Sequence, residues 1–176
     1  DVVLTFDGVT ETSVGLDGSG NLVIADTNTT SHDALTISRN GANVRITDPN
    51  NVLAAGTGAT QINSHTIEVP FASITGSITV NTLAGNDSLT VDFTGGDVVP
   101  STGLTFNGGG QTTSDSLTIT GGTFTTITNT FTNATDGTIQ LDSNTINYTG
   151  LEPVLINVGT VADLIFNLPG SADAGV

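Results

Sequence analysis

Cysteine, methionine, tryptophan and lysine are all absent from the 176 residues. Without cysteine the chain can form neither a disulfide nor a thiolate metal site, so its stability rests on packing, backbone ladders and the oxygen ligands it can offer a cation. Arg39 and Arg45 are the only basic side chains, set against 17 acidic ones, for a net charge of −15. No basic patch can therefore neutralise a row of phosphates or grip an anionic membrane surface, which excludes nucleic acid and membrane partners. No apolar run approaches the length of a membrane-spanning helix. Helix formers are equally scarce, with three Glu, three Gln and two Arg against 22 Gly and abundant Thr. The fold class that remains is all-β.

With 36% hydrophobic residues and a mean hydropathy of +0.15, the chain can build a core, and its charge is too dilute to hold it open. One domain is expected over residues 1–169, with 170–176 as a linker or tail. The chain opens at Asp1 with neither a charged n-region nor an apolar h-region, and is expected to be a segment of something larger. Short apolar alternations recur at Val2 to Phe6, Leu22 to Ala25, Ile67 to Phe71, Ile78 to Val80, Val154 to Val158 and Leu164 to Leu168. Gly, Asn and Asp clusters separate them.

One three-residue word repeats: Leu4-Thr5-Phe6, Leu35-Thr36-Ile37, Leu89-Thr90-Val91, Leu104-Thr105-Phe106 and Leu117-Thr118-Ile119. With a strand period of two, its outer residues face the core and its Thr faces out. Three copies carry an aspartate two residues before the Leu, namely Asp33, Asp87 and Asp115. Residues 74–131 read as successive rungs of a parallel β-helix or solenoid, each a short strand followed by a Gly-rich corner. Residues 1–73 and 132–169 read as richer in hairpins. Asn40-Gly41 lies between two alternations, which pairs Arg39 with Ala42, Ile37 with Val44 and Leu35 with Ile46. A turn at Ser143-Asn144 likewise pairs Leu141 with Ile146 and Ile139 with Tyr148. The fold expected is a parallel β-solenoid with antiparallel excursions; a β-sandwich of the same short strands is the alternative.

Hard carboxylate oxygens suit calcium, the cofactor this composition admits. Gly85-Asn86-Asp87-Ser88-Leu89 resembles the second half of the glycine- and aspartate-rich nonapeptide of calcium-binding RTX repeats. Thr82-Leu83 stands where that repeat has two glycines, and Asp115 falls one residue out of register behind Gly109-Gly110. Asn86, Asp87 and Asp115 are candidate ligands on this resemblance. Asp92 and Asp97, which bracket Gly95-Gly96, are candidates at a solenoid corner; the competing reading is that they keep a sheet edge from pairing. Asp17-Gly18-Ser19-Gly20-Asn21 begins like an EF-hand loop but has Asn28 where a bidentate carboxylate belongs, so a hairpin turn is the better reading.

His32 and His65 belong to no motif, and neither a nucleophile elbow nor a zinc-protease helix is present. No catalytic residue is assigned. A polysaccharide-acting β-helix enzyme would want paired acids beside aromatic platforms, and aromatics are 5% here with no Trp. The Thr-rich thread from Thr123 to Thr132 and the outward Thr of the repeated word raise ice binding as another alternative, weakened by the irregular spacing of the repeats. Sequons at Asn28, Asn86, Asn133 and Asn147 are expected by chance in such a composition.

Over all 176 residues the composition resembles Thr-, Gly-, Asn- and Asp-rich β modules of very large secreted bacterial surface proteins and adhesins. The likeness is clearest in Ser77 to Gly122, and in the phrase Ile146 to Pro153, which looks like a boundary between modules. It implies an extracellular, non-enzymatic stalk, fibre or adhesive segment. Its partners would be neighbouring modules, copies of the same chain, or surface glycans. The absence of thiol, thioether and Lys suits an oxidising, protease-rich exterior.

Overall fold

The computed structural model describes residues 9–111 and 114–170. Among them are eighteen strands, one 3-10 turn at Phe71–Ser73 and no α-helix. The first part of the chain forms β1 (Thr12–Leu16), β2 (Leu22–Asp26), β3 (Ala34–Asn40), β4 (Asn43–Thr47), β5 (Leu53–Ala55), β6 (Thr60–Asn63) and β7 (Thr66–Pro70). The middle forms β8 (Ile78–Asn81), β9 (Ala84–Gly85), β10 (Ser88–Asp92), β11 (Leu104–Asn107), β12 (Gly110–Gln111) and β13 (Ser116–Thr120). The last part forms β14 (Thr123–Phe131), β15 (Gly137–Leu141), β16 (Asn144–Thr149), β17 (Val154–Asn157) and β18 (Thr160–Asn167). The alternation Val2 to Phe6 lies outside the described residues.

Two mixed sheets hold the structure. Nine strands run in the order β18-β14-β15-β16-β11-β8-β2-β1-β5 and seven in the order β17-β13-β10-β3-β4-β7-β6, while β9 and β12 pair separately. The all-β expectation holds. Neither large sheet closes on itself, and their inner faces meet in one apolar core, a sandwich-like layout.

Period-two patterning decides which face goes inward. In β3, β10 and β13 the Leu and the Ile or Val of the repeated word are at most 1% exposed, while the intervening Thr faces out. These strands lie side by side in parallel, with Leu35, Leu89 and Leu117 as register partners. In the nine-stranded sheet Ile78, Leu104 and Ile146 align in the same way, and Leu22 joins them across β2 and β8. Each buried Leu or Ile removed from water contributes roughly 1.5–3 kcal/mol, so the aligned rows form the thermodynamic core.

The two expected hairpins form, with a correction to their registers. Asn40 pairs with Asn43, Arg39 with Val44 and Ile37 with Ile46, which makes Gly41-Ala42 the loop. Gly41 alone takes a positive φ of 59°, as in hairpin turns whose glycine is the first central residue rather than the second. Leu141 pairs with Asn144 and Ile139 with Ile146, so this loop is Asp142-Ser143, with Asp142 at φ 51°. Both loops begin one residue away from the sequence-based position. Because partner numbers change by two, the same residues still face inward.

The two arginines serve the fold. Arg45 forms a forked pair with Glu68 across β4 and β7, with Nε and a terminal nitrogen at 2.9 and 2.7 Å from Oε1. Asn40 and Asn43 also donate to Glu68, and these hydrogen bonds, ahead of the charge of Arg45, hold its carboxyl below the ordinary range. Arg39 lies over the Phe71 ring at 4.2 Å from its centroid.

Candidate functional site, a buried column of aspartates

The three aspartates that precede the Leu of the repeated word stand at one corner of the stacked strands, and all are buried. Because β3, β10 and β13 are in register, residues two positions before the aligned leucines must also stack. The backbone N–H of Asp33 donates to Asp87 Oδ1 at 2.9 Å, and that of Asp87 to Asp115 Oδ1 at 2.8 Å. The backbone carbonyls continue the chain: Asp33 accepts from Ser88 N–H, Asp87 from Ser116 N–H and Asp115 from Glu152 N–H. The Asp33 corner is thus tied to the Asp87 corner, and the Asp87 corner to the Asp115 corner, twice each, through a carboxylate and through a main-chain carbonyl. Gly85 and Gly108 leave room for it, since a Cβ at either would come within 2.6 or 2.7 Å of an Asp87 or Asp115 carboxylate oxygen.

Further groups close the end of the column at Asp33. Thr12 Oγ1 and Asn51 Nδ2 donate to Asp33 Oδ1 at 2.9 and 3.0 Å. Asp48, fully buried, accepts the backbone N–H groups of Asn50 and Asn51 on one oxygen and that of Ala34 on the other. Asp26 accepts Asn28 N–H on Oδ1. His65 Nδ1 lies 2.9 Å from the carbonyls of both Asp48 and Asn51, so it carries the proton. His32 Nδ1 accepts Asn86 N–H at 2.8 Å, which makes it the bare nitrogen of that ring. Both histidines are therefore bracing groups of this corner.

Three oxygens in this region, Asp26 Oδ2, Asp33 Oδ2 and Asp87 Oδ2, are buried without a hydrogen-bond partner. Burial raises the Asp33 carboxyl to about 7; Asn51 and Thr12 oppose the rise and the charges of Asp26 and Asp48 add to it. Burial likewise raises Asp87, with the charges of Asp115 and Asp26 contributing, and burial raises Asp115. A proton on such a carboxyl removes a charge that the interior solvates poorly and turns an unpartnered acceptor into a donor.

The structure brings together only part of the expected ligand set. Asp87 and Asp115 are neighbours in the column, and Asn86 lies beside them on the corner. Asp92 lies at the far end of β10, where its Oδ1 accepts Thr94 N–H. Asp97 is elsewhere again, accepting from Val99 N–H and from Asn144 Nδ2 at 2.7 Å, between a cleft of about 390 Å³ bordered by Phe93 and Phe124 and a second of about 450 Å³. The three orphan oxygens have the hardness calcium prefers, yet among the described residues no group of three or more acidic, histidine or cysteine side chains converges closely enough to hold an ion. The aspartates bind backbone. Asp17, at the EF-hand-like loop, caps the β1–β2 turn, accepting the Asn21 side chain and the N–H groups of Ser19 and Asn21, and these bonds hold its carboxyl below the ordinary range.

Asp26, Asp48, Thr12 and Asn51 carry no sequence signal of this role. Asp33 did carry one, as the first of the three aspartates at a constant offset from Leu. On the outer face of the seven-stranded sheet, Thr66, Thr47, Thr36, Thr90 and Thr118 form one row of register partners, ending at Leu155. The chain matches no known family, no curated protein and no solved structure.

Proposed function

We propose that the chain is a non-enzymatic structural or adhesive segment of an extracellular surface protein, organised as a parallel β-solenoid with antiparallel excursions. The observation that carries this reading is the in-register stack of Leu35, Leu89 and Leu117 with its aspartate column. Strand partners of the middle section are 26 or 28 residues apart in sequence, as for Asn81 with Asn107 and Asp87 with Asp115. Repeating corners of this kind make a rigid element whose neighbours support one another, as a stalk requires. The column's carboxylates are buried and engaged, Asp87 and Asp115 with backbone N–H groups and Asp33 with Thr12 and Asn51, which suits bracing more than contact with a substrate. The acidic surface and the absence of thiol, thioether and Lys suit an exterior location.

Incubation with a panel of surface and plant polysaccharides tests this directly. Reducing ends and unsaturated sugars should not appear, while retention on a glycan surface would mark the adhesive form of the role. Turnover of any polysaccharide would overturn the proposal.

The row of five threonines favours ice binding as the second reading, because it repeats at the strand spacing of about 4.8 Å. Its neighbours along the strands include Arg45, Glu68 and Asp92, so the flat array is one row deep. Faceting of a single ice crystal would establish it, and unshaped growth would remove it.

A further inference from the structure

The two ends of the nine-stranded sheet are finished differently. At one end β5 is three residues long and Gln61 lies across its edge, with Nε2 donating to the Leu53 carbonyl at 2.9 Å and Oε1 accepting Ala55 N–H at 2.8 Å. A side-chain amide thus stands where a neighbouring strand would be. The seven-stranded sheet ends on the same side in β6, four residues long and bulged against β7.

At the other end β18 runs eight residues beside β14, and among the described residues no strand or side chain bonds to its outer edge. Its one charge is Asp163; it has no Lys, no internal Pro and no cap, so it lacks the devices by which edges avoid pairing. Val161 packs against the core, but the apolar side chains of its second half are exposed. Leu164 and Ile165 are 43% exposed, Phe166 55% although stacked on Phe131, and Leu168 just beyond is 76% exposed.

We propose that β18 is a strand-addition edge and that its occupant is a second copy of this chain, paired β18 to β18 antiparallel about a two-fold axis. Two identical edges can close on each other only in that sense, since an isologous contact sets the same strand against itself in reverse. At about 150 Å² per large apolar side chain, the four bare residues offer roughly 300 Å² per copy. With the paired backbones the total reaches about 1,000 Å², the lower edge of what specific association needs. The pair is therefore weak and reversible. Because Gln61 covers the edge of β5, and the terminal strand β6 of the other sheet is short and bulged, assembly stops at two copies and does not run on as a filament.

Charge sets its salt dependence. Each copy carries −15, so bringing two together is opposed at low ionic strength and relieved as the screening length falls from about 30 Å at 0.01 M to about 8 Å at 0.15 M. Added salt strengthens this dimer, the reverse of an interface held by ion pairs. The proposal deepens, and rests on, the reading of the chain as a structural or adhesive surface segment. A monomeric chain would leave that reading standing, and polysaccharide turnover would remove that reading and leave the dimer.

Sedimentation velocity of the full chain over a concentration series tests it. A monomer–dimer equilibrium is expected, with a dissociation constant lower by about tenfold or more at about 0.15 M salt than at about 0.01 M. Ile165→Lys should raise that constant by at least about tenfold with an unchanged melting temperature. Since the chain has no cysteine, single cysteine variants scanned along 161–167 locate the two-fold: the position on the axis should crosslink into dimers on oxidation, while Ile62→Cys on the 46% exposed β6 position should not. A strict monomer at high concentration and salt, a crosslink through position 62 at the same yield, or growth beyond two copies would overturn the proposal.

Discussion

Asp33→Asn should stabilise the chain by a margin that is small below about pH 4, already present at about pH 5 and largest above neutral pH. The Asp33 carboxyl is pushed up to about 7 by burial, against an unfolded value of 3.8. Between those values the folded chain holds a proton that the unfolded chain has lost, so stability falls as pH rises through the window and levels off above it. From about pH 5 to about pH 7 the loss attributable to Asp33 is roughly 2–3 kcal/mol at 1.36 kcal/mol per unit. For a chain of this size that is a drop of about 5–10 °C in melting temperature. Asn at position 33 keeps an acceptor oxygen for Thr12 and Asn51, removes the buried charge, and turns the unpartnered Oδ2 into a donor beside other carboxylates. Asp17, Glu68 and Asp136 have lowered values and are ionised in both states across the window, so they add no slope. Urea unfolding at steps from about pH 5 to about pH 8, with parent and variant side by side, isolates the effect. A parent whose stability is flat or rising over this range, or a variant that falls in parallel with it, would refute the reasoning.

Other perturbations probe other parts of the structure. Leu89→Ala, at the centre of the aligned Leu row, should cost about 2–5 kcal/mol in urea unfolding, with Leu117→Ala similar. Gly109 takes a φ of 79°, and a Cβ there would overlap the Leu83 carbonyl oxygen, so Gly109→Ala should cost at least about 2 kcal/mol, read as a fall in melting temperature. Gln61→Ala uncovers the edge of β5, and should cost about 1–2 kcal/mol while raising light scattering on storage. Melting curves in EDTA and in millimolar calcium should coincide at matched ionic strength; a rise that saturates with calcium would reveal a site on the folded chain.

Much of the stacked section was legible because one physical signal recurs. Leu-Thr-x with its inward Leu identified Leu35, Leu89, Leu104 and Leu117 as core, and the Asp two residues earlier marked the column. Parity survived even where registers did not: Asn40-Gly41 is so strong a turn signal that it masks Gly41-Ala42, which needs one left-handed residue at its first position. The same happened at Asp142-Ser143, where the left-handed residue is an aspartate and no glycine marks it. The burial of Asp26 and Asp48 was not legible, since it depends on contacts such as Asp33 with Asn51 and Ala34 with Asp48 that pattern alone does not encode. Nor could composition show that Asp87 would spend one oxygen on the backbone N–H of Asp33.

Residue-resolved hydrogen exchange tests the aspartate column most directly. The amides of Asp33 and Asp87, donated to the carboxylates of Asp87 and Asp115, and those of Ser88 and Ser116, donated to the column's carbonyls, should exchange only through global unfolding, as slowly as the amides of β10 and β13. Asp87→Ala should release the Asp33 amide first. Exchange of these four amides at the rates of an open loop, with β10 and β13 still protected, would mean that the aspartates do not hold the corners together.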